Sequence, residues 1–236
     1  MKISVEQTPK QKLSQNVLSN VDSVSVTHLP GTRLSETVTA ISNLRRQNSR
    51  IKIIPHIAAR NLKNKKELYD NCDRFVDLGV KDVLIIGGSR KYGNCYGNAF
   101  DLLKDLKDKE YGFNFLCGVY PQHETHDSVT ETKYTKFARG ITQICLNLSL
   151  LKQFDQKTIV GVPSNCTAKE LLKFIKLCGI ARTTREIIPN VVGVKYLSCS
   201  GFNTAKFVKK LDNQFDIHVF NFGNLDKTVN SLIKLL

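Results

Sequence analysis

Six positions in this chain carry groups able to do chemistry, and each closes a short apolar run. Glu6 follows Ile3-Ser4-Val5, where a carboxylate at a strand end is a candidate proton carrier. Thr27 ends Val24-Ser25-Val26 with a hydroxyl, and His56 follows Pro55 after Ile51–Ile54. Gly87-Gly88-Ser89 follows Val83–Ile86 and begins a loop rich in Gly, Asn and Tyr. Tyr120-Pro121, with His123 and His126 close behind, follows Phe113–Val119, and Gln143 lies in the run Ile141–Leu146 with both a donor and an acceptor. Each also has a plain structural reading: a surface Glu, a satisfied core His, a Gln tying down a loop.

The elements that position these residues repeat as strand, polar tip, helix. Apolar runs at 3–6, 21–27, 51–56, 83–86, 113–119, 141–146, 158–162 and 217–222 alternate with stretches of helical period. Such alternation implies parallel strands joined by crossover helices, with functional groups at the carboxyl ends of the strands. Eight strands in 236 residues fit an α/β fold of the (β/α)8 TIM-barrel type, with 1–236 as a single catalytic domain. No G-x-G-x-x-G follows the first strand, so an open doubly wound sheet is disfavoured.

Helix signals support the count. Ser35 reads as the N-cap of a helix through Leu44, Asn64 as the cap of Lys65–Leu78 with Gly79 as its stop, and Thr167 as the cap of Ala168–Leu177. A short helix or loop is expected over Gln7–Ser19, and helices over Ala99–Lys107, through Tyr134, within Lys195–Lys210 and over Leu225–Leu236. The loop 87–97 is long for a βα connection, which marks it as a binding loop.

Composition narrows the function classes. No run nears the roughly 18 apolar residues of a membrane span, and Met1-Lys2 leads straight into a strand without a signal-peptide pattern. A cytoplasmic protein without a membrane partner is expected. The seven cysteines are scattered and form no metal-type spacing, so no metal is expected. The net charge of +14 invites a nucleic-acid reading, but the lysines of Lys63–Lys66 and Lys206–Lys210 fall on helical stretches without interleaved aromatics. They are read as solvated helix faces, and no nucleic-acid partner is expected.

Taken in order, Ile3-Ser4-Val5-Glu6 with Pro9, Val24–Thr27, Pro55-His56, the Gly-rich tip after Ile86, Tyr120-Pro121 and Arg139-Gly140-Ile141-Thr142-Gln143 resemble the methylenetetrahydrofolate reductases. The likeness runs from the first strand to Phe220–Asn224. It implies a flavin-containing (β/α)8 barrel that interconverts 5,10-methylenetetrahydrofolate and 5-methyltetrahydrofolate, passing hydride between NADH or NADPH and folate through FAD. On that resemblance Glu6 is the catalytic general acid. Thr27, His56, Gly87, Gly88, Ser89, Asn98, Ala99, Tyr120, His123 and Lys133 lie at cofactor-binding positions, and Gln143, Ser89 and Asn224 at folate-binding ones. The implied partner is a small-molecule folate, and a homo-oligomer is compatible with the sequence.

The chain also departs from that family. Gly87-Gly88-Ser89 stands where the family carries Arg-Gly-Asp, and Phe222-Gly223-Asn224-Leu225 where it tends to carry Thr-Leu-Asn-Arg. The first strand runs into Gln7-Thr8-Pro9 in place of paired aromatics and a second proline. Losing the aspartate removes a charge from the centre of the implied site. Two alternatives follow: a flavin-free methyl transfer to or from tetrahydrofolate, and a basic binding protein without catalysis on the same barrel.

Overall fold

The computed structural model describes residues 1–88, 95–121, 137, 139–151, 154, 157–177, 197–198, 201–211 and 215–236. Ten strands are described: β1 (Ile3–Gln7), β2 (Ser23–Val26), β3 (Lys52–Ala58), β4 (Asp82–Ile86), β5 (Asn114–Val119), β6 (Arg139–Thr142), β7 (Ile159–Pro163), β8 (Leu197–Ser198), β9 (Gly201–Phe202) and β10 (Asp216–Phe220). Eight of them close a barrel in the order β1-β10-β7-β6-β5-β4-β3-β2, and every pair in it is parallel. β8 and β9 form a separate antiparallel pair. The described helices are α1 (Gln15–Asn20), α2 (Leu34–Gln47), α3 (Lys65–Asp77), α4 (Ala99–Asp108), α5 (Leu148–Leu151), α6 (Ala168–Leu177), α7 (Thr204–Val208) and α8 (Leu225–Ile233).

The caps show why the helices start where they do. Asn64 accepts from the Glu67 N–H and begins α3, which Gly79 ends at φ +68°. Thr167 and Glu170 cap α6 reciprocally, hydroxyl to amide at 3.2 Å and carboxylate to amide at 2.8 Å. Ser35, expected as a cap, lies instead in the first turn of α2, which begins at Leu34; the Glu36 carboxylate accepts from the Arg33 N–H at 3.3 Å.

Three strand ends also differ from the sequence expectation. β3 runs past His56 to Ala58, because His56, Ile57 and Ala58 pair in register with Leu84, Ile85 and Ile86 of β4 after β2 has ended at Val26. β6 stops at Thr142, four residues before Leu146: the Thr142 hydroxyl accepts the Gly161 N–H at 2.8 Å and takes the place of a ladder bond. The last strand stops at Phe220, after which Ser164 Oγ accepts the N–H groups of Phe222 and Gly223 at 3.0 and 2.8 Å. The closing helix ends at Ile233, short of Leu236. The helix expected within 195–210 is α7, Thr204–Val208, and the β8–β9 pair precedes it. The expected helix through Tyr134 lies outside the described residues.

Alternation along the strands separates two cores. Ile3 and Val5, Val24 and Val26, Ile53 and Ile57, Val83 and Ile85, Val160 and Val162, and Ile217 and Val219 belong to the large core between barrel and helices. Their neighbours on the same strands face the barrel axis. There Ile54, Leu84, Leu116, Ile141 and Ile159 form an apolar cluster of their own, filling the side from β3 round to β7. The arc from β10 through β1 to β2 and the upper part of β3 turns Ser4, Glu6, Ser25, His56 and His218 inward instead, where barrels of this kind ordinarily hold branched aliphatics.

Gly161 is fixed by the same inner packing. A Cβ there would stand 2.1 Å from the Thr142 carbonyl oxygen and 2.6 Å from the Phe220 ring. Gly161→Ala must therefore move backbone as well as side chain, and is expected to cost about 1–3 kcal/mol. Urea unfolding checks this as a lower midpoint at unchanged slope.

Candidate functional site in the barrel mouth

Parallel closure brings the carboxyl ends of all eight barrel strands to one mouth. Thr27, Gly88, Tyr120 and Gln143 stand just past the ends of β2, β4, β5 and β6, whereas Glu6 lies one residue before the end of β1 and His56 two residues before the end of β3. Of the remaining candidates, Ser89, His123 and Lys133 lie outside the described residues.

Glu6 keeps 16% of its side chain exposed, and its Oε2 lies 3.9 Å from His218 Nε2 on β10. Beside it β2 contributes Ser25, its partner in register, and then Thr27. The hydroxyls of Ser25 and Thr27 and the Nε2 atoms of His56 and His218 are all buried and have no hydrogen-bond partner. Four such atoms around one carboxylate are unusual, since buried polar groups are nearly always paired. Burial pushes the His56 imidazole down to about 4; Glu6 pulls the other way, while His218 and His28 add to the lowering. The ring is therefore neutral at neutral pH.

His28, just beyond β2, ties the mouth together. Its Nδ1 accepts the Ala58 N–H at 3.2 Å and its Nε2 lies 3.3 Å from the Thr32 carbonyl, so the neutral ring with a proton on Nε2 serves both contacts. Burial lowers its pKa, partly offset by the Thr32 contact and by Glu67 and Glu36. Asn61 donates to the His28 carbonyl at 3.2 Å. Arg60 then holds the glycine tip of β4, its backbone N–H on the Gly87 carbonyl at 3.0 Å and its Nε on the Gly88 carbonyl at 2.8 Å. Gly88 has φ +78°, and a Cβ there would meet Asn61 Oδ1 at 3.1 Å and Ala58 Cβ at 3.2 Å. Only glycine fits that turn without strain.

On the opposite wall the missing side chain of Gly118 leaves space for Tyr120, whose hydroxyl would be 3.5 Å from a Cβ at that position. Gln143 is half-buried, and its N–H donates to the Val119 carbonyl at 2.7 Å, which fixes it just above β6. Asn98 caps α4 through the Phe100 and Asp101 amides, and Ala99 is buried in the outer core. Nearby, Asp105 accepts from Tyr69 at 2.9 Å and from Tyr96 and pairs with Lys65 at 3.0 Å, anchoring the end of the loop that began at Gly87.

A second cavity, about 720 Å³, opens between the loops after β1, β7 and β10 and the β8–β9 pair. Asn224 lines it, together with Lys12, Asn165, Phe202 and Lys227, whereas Glu6, Thr27, His56, Tyr120 and Gln143 do not. Much of its polar lining is engaged in capping: Asn203 and Asn224 accept the amides of α7 and α8, and Asp226 takes hydrogen bonds from Ser14 and Asn16. Asn224 is thus placed apart from the other folate candidate, Gln143.

The sequence reading missed His28 and His218. Their signals were present: His28 directly follows Thr27, and Asp216-Ile217-His218-Val219-Phe220 alternates so that His218 falls on the inner face. Among the described residues no group of three His, Cys, Asp or Glu side chains is arranged to hold a metal ion, and no helix is long and apolar enough to cross a membrane. Lys63, Lys65, Lys66, Lys206, Lys209 and Lys210 are all exposed on helices or beside them.

Fold and mouth define a (β/α)8 barrel. No protein-family model matches the chain, and no curated protein matches it. Solved structures of the same architecture do. An uncharacterized protein from Clostridium thermocellum that binds two copies of 5-methyl-5,6,7,8-tetrahydrofolic acid superposes at a TM-score of 0.60 and 12% identity, over 99% of this chain and 93% of its own. Concanavalin B superposes at 0.56 and 10%, over 100% and 98%. A xylanase and α-amylase inhibitor protein from Scadoxus multiflorus does so at 0.52 and 12%, over 99% and 98%. At such identities the likeness establishes the fold, and one fold carries many activities.

Proposed function

We propose that this chain binds a reduced folate in the barrel mouth and acts on it as a methylenetetrahydrofolate reductase-like oxidoreductase, interconverting the 5,10-methylene and 5-methyl forms. The observation that carries the reading is the partly exposed Glu6 carboxylate set among four buried, unpartnered polar atoms on the inner wall. Such a wall suits a flat ligand with donors and acceptors along one edge, and the apolar cluster opposite suits the rest of the barrel interior. The folate-binding barrel from Clostridium thermocellum lends support, being similar over nearly the whole chain.

Glu6 gives its proton to a folate nitrogen as the methylene bridge opens, and Gln143 pairs with the pterin's amide and amine edge. Thr27, His56 and the backbone of Gly87 and Gly88 would hold FAD: the first two offer unpartnered polar atoms, and Arg60 fixes the tip that the two glycines form. When bound, FAD supplies hydride transfer between NADH or NADPH and the folate. In the same reading Ser89, Asn98, Ala99, His123 and Lys133 contribute to the cofactor side, and Asn224 to the folate side. The absorption spectrum of the purified protein, with calorimetric titration of 5-methyltetrahydrofolate, tests both halves. Folate binding with a flavin spectrum supports the reductase, and absence of folate binding overturns it.

The uncharged tip at Gly87-Gly88 favours a second reading, methyl transfer to or from tetrahydrofolate without flavin, for which folate binding by a colourless protein would be the signature. Salt-sensitive nucleic-acid binding with neither ligand would point to a basic binding protein instead.

Gln143→Ala is expected to weaken folate binding by about 1–3 kcal/mol, roughly tenfold or more, because the pterin edge loses its partner. Flavin binding should change little. An equal loss of both ligands in the same titrations would make Gln143 a structural residue.

A further inference from the structure

An acid that gives up its proton inside a barrel must be recharged before it acts again. Register sets Ser4 on β1 beside His218 on β10, and Ser4 Oγ lies 3.1 Å from His218 Nδ1. The ring's other nitrogen, Nε2, is 3.9 Å from Glu6 Oε2 and has no hydrogen-bond partner. His218 is 1% exposed, and the ring of Phe220 stands perpendicular to it at 4.9 Å, which holds its plane. The three polar side chains therefore line up along the inner wall from Ser4 through His218 to Glu6, and Glu6 alone of them reaches the mouth.

We propose that Ser4, His218 and Glu6 work as one proton-holding unit, with His218 as the positioning residue that stores the proton Glu6 uses next. The proposal rests on the reading of Glu6 as an acid. When the Glu6 O–H bond breaks, its proton goes to the ligand and a carboxylate remains. The Nε2–H bond of the His218 imidazolium then breaks, its proton forms a new O–H bond on Glu6, and the electron pair stays on Nε2. Throughout, Nδ1–H donates to Ser4 Oγ, so Nε2 is the atom that loses and regains the proton. A hydronium ion at the mouth then gives its proton to Nε2 by way of the Glu6 carboxylate and leaves as water, which restores the imidazolium. A movement of roughly 1 Å brings the 3.9 Å separation into hydrogen-bond range.

The surroundings favour His218 for this task. His56 faces the same carboxylate from β3, with His28 behind it, but it is His218 whose Nδ1 is held by Ser4 and whose strand is paired in register with that of Glu6. At the far end of β10, Asp216 is engaged by Arg139 at 2.7 Å and by the Lys2 N–H at 2.7 Å, so it is already paired.

The test that needs no folate is nuclear magnetic resonance of the ¹⁵N-labelled imidazole rings in the full chain, followed from pH 5 to pH 8. With Glu6→Gln the His218 curve should move to lower pH, since the neighbouring negative charge that favours the imidazolium is gone, while His28 stays where it was. With Ser4→Ala the His218 ring should lose its preference for a proton on Nδ1. A His218 curve identical in wild type and Glu6→Gln overturns the unit whether or not the chain binds folate. Where turnover is measurable, His218→Gln should slow repeated turnover by roughly tenfold or more, leave the first turnover intact, and recover with imidazole in the buffer. Equal loss in first and later turnovers, without recovery, would overturn it in a variant whose circular dichroism is that of the folded protein.

Discussion

Glu6→Gln should slow the proton-dependent step at the folate by roughly 10²–10⁴-fold, the usual contribution of a positioned acid. The amide keeps the size and much of the hydrogen bonding of the carboxyl group, so the packing around Ser25 and His218 survives, but it has no proton to deliver. On the proposed reductase reading, reduction of flavin by the nicotinamide needs nothing from Glu6 and should proceed unchanged. Stopped-flow measurement of the two half-reactions on one mutant separates these outcomes. If both slow together, Glu6 is a structural carboxylate; if neither slows, the acid lies elsewhere, with Ser89 and the histidines after Tyr120 next to be replaced. In a colourless protein the same substitution belongs in a methyl-transfer assay, and full activity there would remove Glu6 from the chemistry altogether.

A loss of stability between neutral and mildly acidic pH is the second large effect. His56 is neutral in the fold, its pKa pushed from the ordinary 6.5 down to about 4 by burial. Above pH 6.5 the ring is neutral in both folded and unfolded chains, and it contributes nothing to the pH dependence. As the pH falls below 6.5 the unfolded chain takes up a proton that the fold rejects, so stability is lost until about pH 4. The slope approaches about 1.4 kcal/mol per pH unit, which gives about 2 kcal/mol from pH 7 to pH 5 and roughly 3 kcal/mol in full. His28, lowered by the same cause, adds in the same direction. Its protonation would also end the acceptance of the Ala58 N–H by Nδ1. The buried or paired carboxylates Asp105 and Asp216 are held below the usual carboxylate range, so their contribution falls away only at lower pH. Urea titrations at pH 7 and pH 5 measure the difference, and His56→Gln should flatten it. An unchanged slope in that variant would mean that His56 titrates alike in the folded and unfolded chains.

The sequence carried the barrel almost in full. Each strand has two-residue alternation or a continuous apolar run, each tip carries a turn or polar signal, and the intervening segments are long enough for crossover helices, so the count of eight and the placement of Glu6, Thr27, His56, Gly88, Tyr120 and Gln143 within two residues of successive strand ends could be read directly. Caps with an unambiguous acceptor, Asn64 and Thr167, were legible for the same reason. Ser35 was not, because Glu36 and the neighbouring Glu67, which accepts the Leu34 N–H, meet the first amides of α2 from farther away. The length of β6 was hidden as well: Ile144, Cys145 and Leu146 continue the apolar run and are buried, yet the Thr142 hydroxyl has already replaced the ladder.

What sequence could not decide is which side chains share the inside of the barrel. Ser4 and Glu6 lie more than 200 residues from His218, and only the closing pair of β1 with β10 brings them together. The polar half of the interior exists because β1, β2, β10 and the upper part of β3 each turn hydroxyl, carboxyl or imidazole groups toward one axis, while the apolar half draws on β3 to β7. Any one of those strands, read alone, shows an ordinary alternation with a few polar residues on the inner positions. The sequence by itself determined the periodicity, the strand count and the identity of the groups at the tips. The tertiary structure decided that Glu6 stands among buried imidazoles and hydroxyls, since parallel closure fixes the register between the first and last strands and turns their inner positions toward one axis.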